Sequence, residues 1–183
     1  MLSRNFLIEL LETGQLRVDE NGHLILFNEF GILTPSGVVV KLRELLERQF
    51  GEKVADKILM KLGEYQVEAA AKRYIKILGI HRLDKNKIIQ FTEKILNVLG
   101  WGKILVQPFH DSIVTVIMKE SALGIRYRKM YKKNSKRPID FWVAGMLKKH
   151  FSVIFETEVK VKETKCMAMG HPYCEFLIKK VKP

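Results

Sequence analysis

The apolar positions along the chain change their period once, near residue 100. Before that point they recur at intervals of three and four, as in helices that turn one face to a core. Residues 4–13 place Phe6, Leu7, Leu10 and Leu11 on one face of a short helix, which Gly14 ends. "QLRVDENGHLILFN" is an exception: it alternates about Asn21-Gly22, whose tolerance of positive φ predicts a hairpin. Thr34, Pro35 and Ser36 are helix-start residues for a segment closing at Gly51. "EKVADKILMKLG" and "EYQVEAAAKRYIKILG" are predicted as two further helices, each ending at its glycine. Asp84 caps the next helix, along which Ile88, Phe91, Ile95 and Leu99 keep helical spacing.

Beyond residue 100, strand-like runs dominate. "GKILVQPF" and "SIVTVIM" are rich in apolar and β-branched residues and are predicted as strands on either side of His110-Asp111. "ESALGIRYRKMYKKNSKRP" shows no clear period and reads as a basic loop. "IDFWVAGMLKKHF" follows Pro138 as a helix. "SVIFETEVKVKETKC" alternates apolar and charged residues, so it is predicted as a half-buried strand. "YCEFLIKKV" pairs with it antiparallel across a turn at 167–172. The expected fold class is α+β: a helical N-terminal half, then β-β-α-β-β, with an antiparallel sheet packed on helices. Residues 1–84 supply the hairpin and helices packed on a core at 85–183, and 183 residues suit one compact domain.

Composition narrows the function classes. A chain with 47% hydrophobic and 28% charged residues is an ordinary soluble, globular one. Its longest apolar runs fall far short of a membrane span. The first residues, with Arg4, Glu9 and Glu12, lack the form of a secretory signal, so the cytoplasm is the expected location. With 32 Lys+Arg against 20 Asp+Glu, the net charge of +12 attracts polyanions. Seven of the twelve residues in 126–137 are Arg or Lys, which marks Arg126, Arg128, Lys132 and Lys133 as anion contacts. Tyr127 and Tyr131 among them are available to stack on bases. A solvated loop, or a lid over a pocket, is the plainer reading, since no helix-turn-helix or RNA-binding signature accompanies the run.

Catalysis has little support. There is no G-x-S-x-G, no Walker loop and no G-x-G-x-x-G after a strand. The adjacent His110-Asp111 pair suits turn chemistry better than acid–base work. Two cysteines cannot supply a four-thiolate iron–sulfur cluster, and no nicotinamide or flavin is expected.

The sharpest chemical feature is "KETKCMAMGHPYCEF", which holds both cysteines. In a reducing compartment, a close cysteine pair points to metal or redox chemistry more than to a structural disulfide. A redox pair normally sits as C-x-x-C at a helix start, whereas this spacing lies between strands. Hairpin arms lie about 5 Å apart, so Cys166 and Cys174 can converge on one ion, with Gly170 and Pro172 suiting the bend. Two thiolates are half a tetrahedral zinc set. The nearby candidates for the other half are Glu163, His171, Asp140 and His150. Glu163 and Cys166 are three apart, so they share a face only if the strand ends or bulges between them.

These residues resemble the signature of the 4-vinyl reductase domain family: a glutamate, a cysteine three on, a glycine turn and a second cysteine before an apolar residue. Gly170-His171-Pro172-Tyr173-Cys174 stands where that family commonly has Gly-Asp-Pro-x-Cys, and "DFWVAGML" resembles its preceding helix. The likeness covers about residues 85–181. It implies a ligand-binding module of the kind found alone in archaea, in aromatic-responsive regulators, and in a fold shared with transport-complex subunits that hold acyl chains. It also implies a structural zinc on Glu163, Cys166 and Cys174, with Asp140 where the regulators have a cysteine. His171 and His150 are the alternates to a carboxylate.

A ligand-holding domain of this class would take a hydrophobic, aromatic or acyl-chain guest between helices and sheet. The candidate pocket residues are Phe91, Leu105, Val114, Val116, Phe141, Trp142 and Met146. Trp142 and Trp101 also offer an N–H donor to orient a guest. The resulting expectation is a sensor or carrier with a structural zinc, acting as a homo-oligomer, most simply a dimer. A reductase-type enzyme of tetrapyrrole metabolism is the first alternative, and a nucleic-acid binder through residues 126–137 the second.

Overall fold

In a computed structural model, the structure describes residues 2–78, 84–108 and 113–181. The chain opens with helix α1 (Leu2–Glu12), followed by three short strands, β1 (Leu16–Val18), β2 (Leu24–Leu26) and β3 (Glu29–Gly31). These form an antiparallel meander. The Asn21-Gly22 hairpin is where the sequence predicts it, with Asp19 accepting the backbone N–H groups of Asn21 and His23. The third strand was not foreseen. Positive φ at Phe27 and Asn28 makes the tight turn into it.

Two long helices follow, α2 (Ser36–Phe50) and α3 (Glu52–Leu78). The expected break at Gly63 is absent, and α3 runs straight through it. The glycine is there for packing. A Cβ at Gly63 would lie 1.9 Å from the Trp142 carbonyl oxygen, inside the helix that crosses α3. The predicted end at Gly79 and the His110-Asp111 turn lie outside the described residues.

Helix α4 (Lys85–Val98) is capped as expected, Asp84 accepting the Lys87 N–H at 3.0 Å. The second sheet then begins with β4 (Lys103–Val106) and β5 (Ile113–Lys119). Between β5 and the last helix the structure differs from expectation: Ala122–Tyr131 is a helix, α5, and not a loop. Ser121 caps it, accepting the Gly124 N–H at 3.0 Å. Leu123, Tyr127 and Tyr131, spaced four apart, turn inward toward α2, where the Tyr131 hydroxyl donates to Glu44 at 2.5 Å. The irregular basic stretch begins only at Lys132, which ends α5 in the left-handed conformation.

Helix α6 (Phe141–Ile154) follows, absorbing Ser152, Val153 and Ile154 from the segment predicted as strand. Strands β6 (Val159–Lys165) and β7 (Cys174–Lys180) close the chain, joined through a 3₁₀ turn at Met167–Met169. The sheet order is β4-β5-β7-β6, every pair antiparallel, so the last strand enters between its predecessors. Alternation puts Ile104, Val106, Val114, Val116, Met118, Phe176 and Ile178 on one face, all buried. Helix α6 brings Met146, Leu147 and Phe151 to the same core. The fold class is the expected α+β, with a second helix inserted between the two strand pairs.

Candidate functional site

Four side chains from separate backbone segments meet beneath the start of α6. Asp140 precedes that helix, Glu163 lies near the end of β6, Cys166 follows β6 and Cys174 opens β7. One donor atom of each lies within 4.8 Å of every other. The convergence of Glu163 with Cys166 has the required irregularity: the β6–β7 register slips between Glu163 and Lys165, and the bulge turns the strand so that both point inward. Gly170, at φ +99°, closes the bend between the cysteines.

The set crowds two carboxyls and two thiols into one buried space. Asp140 is fully buried, and burial pushes its carboxyl above the usual carboxylate range. Burial, followed by the charges of Asp140 and Cys166, does the same to Glu163. The hydrogen bond between the thiols lowers Cys166 and raises Cys174. The Cys174 sulfur sits 3.0 Å from Asp140 Oδ2 and accepts the Met167 backbone N–H at 3.2 Å. Ser121 donates to Asp140 Oδ2 at 3.1 Å, and the Asp140 N–H donates to Glu163 Oε2 at 3.1 Å.

Glu163 Oε1 is sealed from solvent and has no partner among the described residues. A divalent cation at the centre would supply the partner it lacks and would offset the repulsion that raises both carboxyls. Bonds of about 2.0–2.3 Å to a tetrahedral ion keep donors about 3.3–3.8 Å apart. The donors of this cluster, within 4.8 Å of one another, stand near that spacing. The residues therefore fit a metal. The expected alternates are elsewhere: His171 Nδ1 lies on the Cys166 backbone at 3.1–3.2 Å, and buried His150 sits 2.9 Å from Thr92 Oγ1.

Among the described residues, the predicted pocket residues stand in several settings. Val114, Val116 and Met146 are sealed in the core, at 1% exposure or less. Leu105 is half-buried on the opposite sheet face, and Phe91 and Phe141 are half-buried on α4 and α6. Among the described residues, Trp142 of the predicted set borders an apolar niche between the helices. There α2 contributes Val40 and Arg43, α3 contributes Leu59, and α5 contributes Leu123 and Tyr127. Its unfilled space is about 10 Å³. The Trp142 indole N–H is already engaged, donating to Gln66 Oε1 at 2.5 Å. The Trp101 N–H is buried with no acceptor among the described residues, its ring 5.7 Å from that of Trp142.

The expected anion contacts also rearrange. Arg128, Lys132 and Lys133 line an open groove of about 380 Å³ with Ile125, Lys129 and Asn134, while Arg126 reaches toward Gly37 of α2. Tyr127 and Tyr131 face inward and are not presented for base stacking. Sequence reading missed Arg43 and Leu59, because both lie in helices that look merely amphipathic. The Arg43–Glu47 spacing on the face of Val40 was the one local signal.

The fold is one shared by ligand-binding sensory domains. The phenol-bound sensory domain of the phenol-responsive transcription activator PoxR superposes with a TM-score of 0.82 at 18% identity, over 97% of this chain and 89% of that one. A trafficking protein particle complex subunit 3 from Naegleria fowleri, covalently bound to palmitic acid, gives 0.57 at 12% identity over 80% and 95%. A vinyl-4-reductase family protein from Methanocaldococcus jannaschii gives 0.50 at 16% over 83% and 98%. Residues 130–180 match the V4R domain, a segment that holds all four residues of the cluster, and the resemblance to the 4-vinyl reductase family is borne out there. No curated protein matches the chain.

Proposed function

We propose that the chain is a small-molecule-binding domain of sensor or carrier type, folded as one unit over 1–183, whose last hairpin is held by a structural zinc. The observation that carries this reading is the closed cluster of Asp140, Glu163, Cys166 and Cys174 directly under α5, the helix whose inner face walls the apolar niche. Two thiolates with two carboxylates favour zinc over magnesium or calcium. Four protein donors leave no open position for catalysis, so the ion fixes structure. The guest is a hydrophobic molecule, aromatic or acyl. The phenol held by one structural neighbour and the palmitic acid held by another support that class. Exposed Phe30, Ile32 and Leu33, the last two at 89% exposure, support a second copy of the chain as partner.

Elemental analysis of the purified protein beside Cys174→Ser tests the zinc. One zinc per chain in the wild type and none in the variant is expected, and equal content near zero in both refutes it. Mass spectrometry of gently purified protein tests the guest, with co-purified apolar small molecules expected.

A further inference from the structure

The outer face of the β4-β5-β7-β6 sheet, turned away from the core, carries an apolar centre and a ring of lysines. Strand alternation places Leu105, Ile113, Ile117 and Leu177 on it, half-buried or exposed and outside the hydrophobic core. Around them stand Lys103, Lys119, Lys160, Lys162 and Lys179, all exposed and none in an ion pair among the described residues.

Four of these lysines are set against one another. Lys103 is the direct cross-strand partner of Lys119, and Lys160 that of Lys179. Like charges directly opposite destabilise a sheet. Lysines on edge strands guard against edge-to-edge pairing, which accounts for Lys103 on β4 and Lys160 on β6. It does not account for Lys119 and Lys179, which sit on the inner strands β5 and β7. Glu175, the one acid at an outward position of these strands among the described residues, is already held by Lys165 at 3.0 Å and Thr164 at 2.8 Å. The counter-charge for the two lysine pairs has to come from outside the sheet.

The arrangement selects the partner. A second copy of the chain brings the same lysines and a net charge of +12, so it is repelled. Nucleic acid finds no aromatic ring at the outward positions to stack on. The aliphatic side chains lie between longer lysines and do not project into a bilayer. The lysine pairs stand at opposite corners of the sheet, six residues apart along β5, which is about 20 Å. A helix of about 14 residues spans that distance.

We propose that this face is a docking surface for an acidic amphipathic helix of a partner protein. Its apolar stripe covers Leu105, Ile117 and Leu177, and its Asp or Glu side chains meet the two lysine pairs.

The test uses the full chain and a labelled helical peptide of about 16 residues, with leucine along one stripe and glutamate beside it, read by fluorescence anisotropy. Saturable binding is expected, about tenfold weaker for a shuffled peptide that keeps the charge and loses the stripe. Lys119→Glu combined with Lys179→Glu sets each new acid opposite a lysine, so the variant is expected to fold. It should lose the acidic peptide and accept a lysine version of it. Lys129→Gln combined with Lys132→Gln, in the α5 groove, should change nothing. In the free protein, Lys119→Gln should raise the melting temperature by about 1–2 °C, because it relieves the repulsion from Lys103. The assignment is overturned if the peptide does not bind, if its shuffled form binds as well, or if the charge reversal leaves it bound. Loss of binding in the α5 variant moves the site to that groove. A melting temperature lowered by Lys119→Gln makes the lysine pair a structural element and removes the argument from repulsion. Tighter binding of a DNA duplex, or of phosphatidylglycerol vesicles, that the charge reversal abolishes gives the face to that partner instead.

Discussion

Gly63 of α3 and Gly145 of α6 are each other's clearance at the point where the two helices cross. A Cβ at 63 would lie 1.9 Å from the Trp142 carbonyl oxygen, and one at 145 would lie 1.9 Å from that of Met60. Both obstacles are backbone, so no side chain can swing aside and the helices must separate. Gly63→Ala or Gly145→Ala is expected to lower unfolding stability by about 3 kcal/mol, even though alanine is the better helix former. Urea denaturation measures it, and a loss below about 1 kcal/mol means the helices part easily.

The metal cluster makes a graded set of expectations. Chelation of the wild type should lower the melting temperature by about 10 °C or more, because a structural ion contributes directly to folding. Cys174→Ser should behave like the chelated protein, whereas Asp140→Cys, which restores a third thiolate, should keep its zinc. Metal content and thermal scans of the three proteins decide the matter. Retention of full zinc by Cys174→Ser would show that the ion is held elsewhere.

His150 gives the stability a pH dependence of defined sign. Burial against Phe151 and Thr92 pushes its imidazole down to about 4. In the unfolded chain it takes up a proton near pH 6.5, so its neutral folded form costs nothing above that pH. As the pH falls from about 6.5 to 4, the unfolded state binds a proton that the folded state refuses, and stability declines. The total is about 3 kcal/mol. Unfolding free energies of wild type and His150→Gln should converge in slope above pH 6.5 and diverge below it. Parallel curves across that window would remove His150 as the cause.

The groove at the end of α5 is a matter of unscreened charge. Among the described residues, no ion pair involves Arg128, Lys129, Lys132 or Lys133, all of which are exposed. Replacing all four by Gln should lower the salt at which the protein leaves a heparin column and flatten the salt slope of polyanion binding by about 3. The melting temperature should not move. Tyr131→Leu, which removes the ring, should leave binding unchanged, since that ring faces α2. Weakened binding in that variant would reinstate stacking.

Which parts were legible in the sequence follows from distance along the chain. Glu163, Cys166 and Cys174 lie within twelve residues, and a hairpin brings such neighbours together whatever the rest does. Asp140, more than twenty residues upstream, was one of several candidates among the nearby residues, and only the family resemblance singled it out over the histidines. The niche is the opposite case, joining residues 40, 43, 59, 123, 127 and 142, and no local pattern states which helices will touch. Helix α5 was hidden by its own charge, because the basic residues between Leu123, Tyr127 and Tyr131 mask a four-residue period. Gly63 was misread because a glycine that ends a helix and one that admits a neighbour look alike until the neighbour is known.

The hydroxyl of Ser121 accepts from the first turn of α5 and donates to Asp140, so a single oxygen ties a helix to the buried acidic cluster. That joint leaves α5 little freedom to slide. Its buried beginning is thereby joined to the cluster under the C-terminal hairpin, while the exposed basic residues from Lys132 on lie past its end.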